Sequence, residues 1–444
     1  MLHSISIPDF QGNDLSEMKV LTQAHTCVAK PILVVLRLLF VTALFLLFLS
    51  LPTFAQEQEA YVLMVSFDGF RHDYIDTYDA PTFKELRKTG SHAEGLICSF
   101  PSKTFPNHYT LVTGLYPGSH GLVGNNFIDM ARQDTFTIRK RHLVEDAYFY
   151  GGVPLWQLVQ QYGMKSASYF WVGSEAPVAG RYPNYYQIYD GSVPNQERIS
   201  QVMDWFQLPD SSRPQFVTLY FSLVDSEGHK SGPESPQTGR TVLQADSLLQ
   251  QILTGLDTID LPINVIITSD HGMYPVQRSE EYFISLPNLL GSFQDSFQMV
   301  NSGTNVQLYG GSKAACNLLY ERLKTQEAHF SIYRKHETPE EWHYRDHPRI
   351  GDLILSAEPG YMFSMGYLGR LLGAPLTIGV HGYDPYTTPE MNGIFLAKGP
   401  AIVSGKRLPP FENVHVYPFV ASLLGIPGET PDSDGKVLEE LLLK

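Results

Sequence analysis

The stretch Val62-Leu63-Met64-Val65-Ser66-Phe67-Asp68 decides the fold class, because a short apolar run ending in a polar residue is typical of a buried parallel strand. Two further runs share this pattern, Phe216 to Val224 before Asp225 and Val265 to Ser269 before Asp270. In open α/β sheets, ligands bind outside the carboxyl ends of the strands. We therefore expect the three aspartates at one edge of a single sheet.

Histidines stand close to two of these aspartates. His229 follows Asp225 by four residues, and His271 follows Asp270 directly. A further candidate, His381, stands alone in a Gly-Val-His-Gly-Tyr-Asp stretch. Oxygen and nitrogen ligands without cysteine suit hard or borderline divalent cations such as zinc. The pattern predicts a site for two metal ions.

Strand and helix patterns alternate along the rest of the chain, with proline early in helices and glycine behind them. The predicted elements are a helix over 80–89, a strand near 93–97, a helix from about 106 towards 114, a helix near 239–254, a strand over 393–397 and a helix over 416–424. This alternation predicts an α/β fold, with a central and mostly parallel β-sheet flanked by helices.

Two segments fit the alternation less well. Residues 125–195 are rich in aromatic and glycine residues and are expected to supply loops that face the substrate. Residues 292–360, of mixed polarity, are expected to form a small α+β insertion before His381.

The N-terminal segment has the features of an export signal. Leu38 to Leu51 is almost wholly apolar, follows Lys30 and Arg37, and leads to Pro52-Thr53-Phe54-Ala55. Residues 1–55 are therefore predicted to be a signal peptide cleaved after Ala55, or alternatively an uncleaved signal anchor. Residues 56–444 would form the catalytic domain, located in the periplasm or outside the cell and attached to a membrane only if the segment stays uncleaved.

The remaining chain is acidic, since the formal net charge is −14 and residues 1–55 carry as many basic as acidic side chains. This charge argues against a scaffold that binds nucleic acid. It does not exclude a nucleotide substrate, because bound metal ions would make the local charge positive at the binding site. After cleavage only Cys98 and Cys316 remain, and the sequence leaves open whether they form a disulfide.

A threonine provides a candidate nucleophile. Thr104 lies two residues before Pro106, which marks a helix start and so places the hydroxyl near the positive end of the helix dipole. A hydroxyl in that position can approach a phosphate. Taken alone, a threonine at a helix start is more often a cap than a nucleophile.

Four motifs make a resemblance specific. In order along residues 60–430 they are Ser102-Lys103-Thr104-Phe105-Pro106-Asn107-His108, Asp225-x-x-Gly228-His229, Ser269-Asp270-His271-Gly272-Met273 and His381-Gly382-Tyr383-Asp384. Together they resemble the ectonucleotide pyrophosphatase/phosphodiesterase family, which is part of the alkaline phosphatase superfamily.

The resemblance implies an alkaline-phosphatase-like fold and two Zn²⁺ ions. Asp225, His229 and His381 resemble the ligands of one ion. The other ion would be held by Asp68, Thr104, Asp270 and His271.

The implied reaction is hydrolysis of nucleotide phosphodiester and pyrophosphate bonds, which releases a nucleoside 5′-monophosphate. Thr104 would form a covalent phosphoryl ester that water then hydrolyses. Asn125 matches the family asparagine that donates to a non-bridging phosphate oxygen. Nucleotides or dinucleotides are the expected small-molecule substrates.

The positions that would face the substrate are aromatic or basic. Phe105 and Tyr189 match residues that sandwich a nucleobase in the family, and Trp171 also matches. Lys103 would meet a phosphate. Each aromatic residue also suits core packing, and a single lysine also suits a solvated surface. The remaining histidines that match no ligand position are interpreted as structural: His72, His92, His108, His120, His142 and His415.

Two alternatives keep part of this interpretation. The same metal site would also serve a phosphonate, a phosphomonoester or a lysophospholipid. A non-enzymatic surface protein that only binds nucleotides would need a broken site, yet every ligand position and the threonine are present.

Overall fold

The structure, a computed structural model, describes residue 42 and residues 60–366 and 376–443. Apart from residue 42, the predicted signal peptide or anchor lies outside the described residues. Among the residues described, no helix is long and apolar enough to cross a membrane.

The described strands are numbered in chain order. They are β1 Tyr61–Phe67, β2 Ser91–Ala93, β3 Leu96–Ile97, β4 Asn126–Asp129, β5 Asp134–Thr137, β6 Ser166–Tyr169, β7 Tyr185–Gln187, β8 Phe216–Phe221, β9 Ile263–Thr268, β10 Tyr274–Gln277, β11 Phe283–Ser285, β12 Gln298–Asn301, β13 Asn305–Tyr309, β14 Phe330–Arg334, β15 Leu353–Ala357, β16 Met362–Ser364, β17 Thr377–Val380, β18 Phe395–Lys398, β19 Arg407–Leu408 and β20 Phe411–Glu412.

The described α-helices are numbered in the same way. They are α1 Tyr74–Thr77, α2 Pro81–Thr89, α3 Thr104–Thr113, α4 Pro117–His120, α5 Arg141–Val144, α6 Leu155–Gln161, α7 Asn195–Phe206, α8 Leu223–Ser231, α9 Pro236–Leu256, α10 Leu286–Leu290, α11 Lys313–Lys324 and α12 Val416–Leu423.

An eight-stranded sheet forms the centre of the fold, in the order β19-β2-β18-β9-β1-β8-β6-β7. Strand β1 pairs in parallel with β8 on one side and with β9 on the other. The antiparallel strand is β18, which lies between β9 and β2. The predicted α/β class with a mostly parallel sheet is confirmed, and its three central strands are the ones that lead towards the three aspartates.

Two apolar cores cover the faces of this sheet. Because side chains alternate along a strand, Val62 and Met64 of β1 lie in one core, whereas Leu63, Val65 and Phe67 lie in the other. Helices α3, α6 and α12 contribute to the first core, and helices α2, α7 and α9 contribute to the second. The sheet is therefore the middle layer of three, with helices packed on both of its faces.

One predicted strand ends earlier than expected. The run from Phe216 was expected to stay extended as far as Val224, but β8 ends at Phe221 and helix α8 begins at Leu223. Asp225 therefore lies in the first turn of a helix. The helical geometry places Asp225 and His229, four residues apart, on one face and about 6 Å apart along the axis, whereas a strand would separate them by about 13 Å.

Helix α3 begins at Thr104, earlier than the expected start near Pro106. Proline is tolerated in the first helical turn, because the N–H groups there have no partner within the helix. Thr104 is thus the first residue of the helix, and Lys103 occupies the N-cap position.

The segment expected as an insertion contains a second sheet. Strands β12, β13, β15 and β14 pair in that order, all antiparallel, and α11 packs in the same apolar cluster. The buried Arg349 lies just before β15 and donates to Asp129 Oδ2 at 2.9 Å and to the carbonyl oxygens of Gly121 and Phe149 at 2.9 and 3.0 Å. These bonds connect the segment to the end of β4, to Gly121 before β4 and to a helical turn that follows β5 and α5. Its description as an insertion stays a prediction.

Candidate active site

A first group of candidate metal ligands lies where β1 and β9 end. His271 Nε2 is 3.1 Å from Asp270 Oδ2 and 3.6 Å from Asp68 Oδ1, and all three residues are buried. Thr104 Oγ1 lies 3.3 Å from the same His271 nitrogen. The sequence prediction grouped these four residues, and the fold brings them together from three separate elements.

A second group lies beside the first. His229 Nε2 is 3.4 Å from Asp225 Oδ1 and 3.1 Å from His381 Nε2, and His381 Nε2 is 3.8 Å from Asp225 Oδ1. His271 also comes within ligand range of Asp225 and His381, and its ring stacks on that of His381 with centroids 3.7 Å apart. His271 therefore lies between the two groups, although the sequence assigned it to the first alone.

A glycine allows the two groups to approach each other. Gly69 has a φ of +68°, and a Cβ there would lie 2.8 Å from the Asp225 Cα. The backbone N–H of Asp225 donates to the Asp68 carbonyl oxygen at 3.0 Å, and the Gly69 N–H donates to Asp270 Oδ1 at 3.2 Å. A side chain at position 69 would separate the end of β1 from helix α8, and with them the two groups.

The three carboxylates fit a cationic ligand. One oxygen of each is buried without a hydrogen-bond partner within the described residues: Asp68 Oδ1, Asp225 Oδ1 and Asp270 Oδ2. Burial raises the pKa of all three carboxyl groups, and the charge of Asp270 adds to the rise for Asp68. Buried charged groups of one sign are costly unless a cation offsets them. The donor set therefore suits metal ions held in both groups.

The histidines are present in the form that binds metals. Burial lowers the pKa of His271 and His381 well below the usual value, so their rings are neutral at physiological pH. The Nδ1 atoms of His229 and His381 lie 2.8 and 2.7 Å from the carbonyl oxygens of Gly379 and Ser102. Since only a protonated Nδ1 can donate to a carbonyl, Nε2 is left with a free lone pair towards the site.

A cleft of about 260 Å³ opens next to the first group. Its walls are formed by Asp68, Thr104, Phe105, Ile138, Arg141, Val144, Phe170, Val172, Gly173, Glu175, Tyr189, Tyr220, Ser222, Asp225 and Ser226. Three larger clefts, of about 600, 570 and 370 Å³, are lined by none of the candidate ligands. The position of the acidic groups, rather than cleft size, therefore identifies the site.

Predicted substrate residues divide into two sets. Phe105 and Tyr189 line the cleft together. Trp171 is fully buried in the core and donates from its indole N–H to the His108 carbonyl at 3.0 Å. Lys103 is buried as well, and its ammonium group donates to the carbonyl oxygens of Ser302 and His381. Trp171 and Lys103 are thus held by hydrogen bonds within the protein, and their contact with substrate stays a prediction.

Asn125 lies next to the nucleophile position. Its Oδ1 accepts a hydrogen bond from the Phe105 backbone N–H at 2.9 Å. The amide NH₂ is consequently the part of the side chain that remains available as a donor.

Several residues of the site were missed by the sequence prediction. Arg141 and the buried Glu175 form an ion pair in the cleft wall, and no motif surrounds either one. Tyr220 donates from its hydroxyl to Asp68 Oδ2 at 2.6 Å. A signal for Tyr220 was present, because a tyrosine within a buried strand needs a partner for its hydroxyl. His108, interpreted as structural, also lies close, with Nδ1 3.2 Å from Asp270 Oδ2.

Comparison with known proteins shows to which family the chain belongs. The family model described as type I phosphodiesterase / nucleotide pyrophosphatase matches residues 62–384, which include both candidate groups and Thr104. The chain belongs to this family. The resemblance inferred from four motifs is thereby confirmed.

Over the aligned regions, the curated relatives are about one-third identical to the chain. Ectonucleotide pyrophosphatase/phosphodiesterase family member 1 of Rattus norvegicus is 32% identical over 86% of this chain, and a venom phosphodiesterase of Macrovipera lebetinus is 33% identical over 83%. The chain spans only 42% and 43% of the length of these two proteins. A pyrophosphatase/phosphodiesterase of Schizosaccharomyces pombe, described as uncharacterized, is 32% identical, and the chain covers 77% of it.

Solved structures extend the likeness to the fold. Human ectonucleotide pyrophosphatase/phosphodiesterase 5 superposes with a TM-score of 0.79 and 31% identity, covering 87% of this chain and all of that one. The murine counterpart, an inactive threonine-to-alanine variant in complex with AMP, gives 0.79 and 29% with the same coverage. The expected alkaline-phosphatase-like fold is confirmed by these neighbours.

Proposed function

We propose that the protein is an exported, metal-dependent hydrolase that cleaves nucleotide phosphodiester and pyrophosphate bonds and releases a nucleoside 5′-monophosphate. One observation carries this proposal: the Thr104 hydroxyl lies 3.3 Å from His271, the residue shared by both candidate groups, and lines the same cleft as Phe105 and Tyr189. The cleft thus combines a candidate nucleophile, the two candidate metal groups and two aromatic side chains on which a base could stack. The names of the curated relatives support this activity.

The two groups would hold two Zn²⁺ ions. Asp68, Asp270, His271 and the Thr104 oxygen are the ligands proposed for one ion. Asp225, His229 and His381 are those proposed for the other. Bound ions of this kind lower the pKa of a coordinated hydroxyl and neutralise charge on the phosphoryl oxygens.

In the first step Thr104 Oγ would attack the phosphorus of the substrate. A Thr104–phosphorus bond forms, the bond to the leaving alcohol or pyrophosphate oxygen breaks, and the leaving oxygen ends protonated or as a phosphate anion. Thr104 is the first residue of helix α3, so the N-terminal end of the helix dipole favours the negative charge on the phosphoryl group.

In the second step water would attack the same phosphorus and restore the threonine hydroxyl. The nucleoside 5′-monophosphate then leaves with the oxygen from water. Phe105 and Tyr189 would hold the base by stacking, which contributes about 1 to 3 kcal/mol per base and tolerates any base. The AMP in the murine neighbour's complex supports a nucleotide as the ligand of this cleft.

Export is part of the proposal. Ectonucleotide and venom enzymes are among the relatives, and this agrees with the signal predicted in residues 1–55. The mature enzyme would act in the periplasm or outside the cell.

The proposed activity is tested by comparing two chromogenic esters. We expect p-nitrophenyl thymidine 5′-phosphate to be hydrolysed with a much higher kcat/KM than p-nitrophenyl phosphate, because only the diester offers a nucleoside to the aromatic cleft. Release of thymidine 5′-phosphate, followed by chromatography, identifies the bond that breaks. Faster cleavage of the monoester would overturn the assignment and favour a phosphatase. Absence of turnover by zinc-loaded protein on both esters would favour a binding protein.

Replacing Asn125 with alanine is expected to lower kcat by about a hundred- to a thousand-fold, the usual effect of losing one donor to a developing negative charge. The variant Asn125→Asp keeps an oxygen to accept from the Phe105 N–H but has no NH₂ donor. Both variants should lose activity, whereas Asn126→Ala, at the neighbouring position, should resemble the wild type. A wild-type kcat for Asn125→Asp would show that Asn125 acts only by holding Phe105. Steady-state kinetics on the thymidine diester provides the measurement.

A further inference from the structure

Tyr220 lies in the central sheet and contacts both Asp68 of the first candidate metal group and Tyr189 of the cleft. In β8 it pairs in register with Ser66 of β1, two residues before Asp68. Its side chain is buried, with 8% of its surface exposed. Because adjacent strands fix the register, the position of the Tyr220 ring relative to Asp68 is set by the sheet itself.

The two oxygens of Asp68 have different surroundings. Oδ2 accepts the Tyr220 hydroxyl hydrogen at 2.6 Å. Oδ1 has no hydrogen-bond partner among the described residues and lies 3.6 Å from His271 Nε2. The hydroxyl therefore fixes rotation of the carboxylate and leaves one oxygen directed towards the other candidate ligands.

The Tyr220 ring is itself held in place. The ring of His108 meets it edge-on with centroids 5.1 Å apart, and the ring of Tyr189 meets it edge-on at 6.1 Å. His108 is anchored by contacts of its Nε2 with Ser66 Oγ at 2.8 Å and of its Nδ1 with the Thr104 carbonyl at 3.0 Å. The neighbours of Tyr220 thus include a proposed base-stacking ring and the residue that ties Thr104 to β1.

We propose that Tyr220 is a positioning residue for the metal group of Asp68, Thr104, Asp270 and His271, acting through its hydrogen bond to Asp68. This inference rests on the proposed metal-dependent function. Partners that orient a metal-binding carboxylate typically affect metal affinity by 10- to 100-fold when removed. Tyr220 also lines the cleft, so a direct contact with substrate is the competing explanation.

The test is a zinc titration of the full chain after dialysis against a chelator, with no substrate present. Tyr220→Phe removes the hydroxyl and keeps the ring. We expect it to bind one zinc ion about 10- to 100-fold more weakly than the wild type and the other ion unchanged. Its lost activity should return at high zinc concentration, with KM for the nucleotide ester unchanged.

A matched control is available on helix α3. Tyr109 is fully buried, and its hydroxyl has no hydrogen-bond partner within the part of the chain that the structure describes. Tyr109→Phe removes a buried hydroxyl without touching Asp68, so it should bind both zinc ions like the wild type. The titration is repeated in a His381→Ala background, which leaves the second group only Asp225 and His229 as its own ligands, so that the tighter remaining ion reports on the Asp68 group. There Tyr220→Phe should again weaken binding about 10- to 100-fold.

Each outcome decides between the two proposals. A wild type that binds no zinc contradicts the proposed function itself. The positioning role alone is overturned if the wild type binds two zinc ions and the Tyr220→Phe protein binds each of them with the wild-type affinity. A higher KM for the nucleotide ester with unchanged zinc affinity would assign the hydroxyl to substrate contact instead.

Discussion

Thr104→Ala is expected to reduce turnover of a nucleotide diester by about a thousand-fold or more, while leaving folding and zinc binding by the Asp225 group intact. Loss of a nucleophile typically costs at least this much, because stabilising interactions alone accelerate the reaction far less than the complete site. Thr104 is half-buried at the start of α3, and its side chain fills no part of the core. Steady-state kinetics, elemental analysis and thermal unfolding together provide the measurement.

The matched control is Thr104→Ser, which keeps a hydroxyl and should retain far more activity than the alanine variant. Acid-quenched wild type should carry a nucleotidyl group on the peptide that contains Thr104, detected by mass spectrometry, and Thr104→Ala should carry none. The alanine variant should still bind AMP, as the inactive murine neighbour does. Undiminished turnover by Thr104→Ala would remove this residue from the mechanism.

Metal removal is expected to abolish turnover completely and to destabilise the fold at neutral pH. In the metal-free chain, burial raises the pKa of Asp68 and Asp270, so the folded protein holds protons that the unfolded chain releases above about pH 4. The stability associated with these protons is fully present at acid pH and is lost as the pH rises. At higher pH these carboxyl groups ionise in the folded protein, and a bound cation offsets their negative charges.

Zinc should therefore raise the unfolding temperature more at pH 8 than at pH 5. At a metal concentration a hundred times the Kd, binding to the folded state contributes about 2.7 kcal/mol per ion. Thermal unfolding of chelated and zinc-loaded protein across this pH range measures the effect. Restoration of activity by added zinc serves as the control for irreversible damage. Full activity in protein shown to be metal-free would contradict the proposed mechanism.

Local patterns were sufficient for the central sheet. The apolar runs before Asp68 and Asp270 predicted two strands that the structure contains, because strands buried on both faces need continuous apolar sequence. The third run was extended too far: polar Ser222 and the turn into α8 place Asp225 on a helix. Apolar residues before a helix look like apolar residues in a strand, so periodicity alone misplaced that boundary.

The sequence did not show which atoms the polar side chains around the site contact. The contact of Lys103 with a phosphate stays a prediction, but the sequence did not show that its ammonium group donates to two backbone carbonyl oxygens from distant parts of the chain. His108 was interpreted as structural but lies against Thr104 and Asp270. Which atom a side chain meets depends on residues far away in the sequence, and no local pattern specifies them.

The sequence by itself determined the α/β class, the family and the identity of the candidate metal ligands and nucleophile, since each of these is carried by short motifs and by local hydrophobic pattern. The tertiary structure alone decided that His271 lies between both groups, that Gly69 lets them approach, and that Tyr220 orients Asp68. These contacts join residues that are far apart in the sequence: 152 residues separate Asp68 from Tyr220, and 110 separate His271 from His381. They depend on strand register and helix packing, which arise only when the whole chain folds.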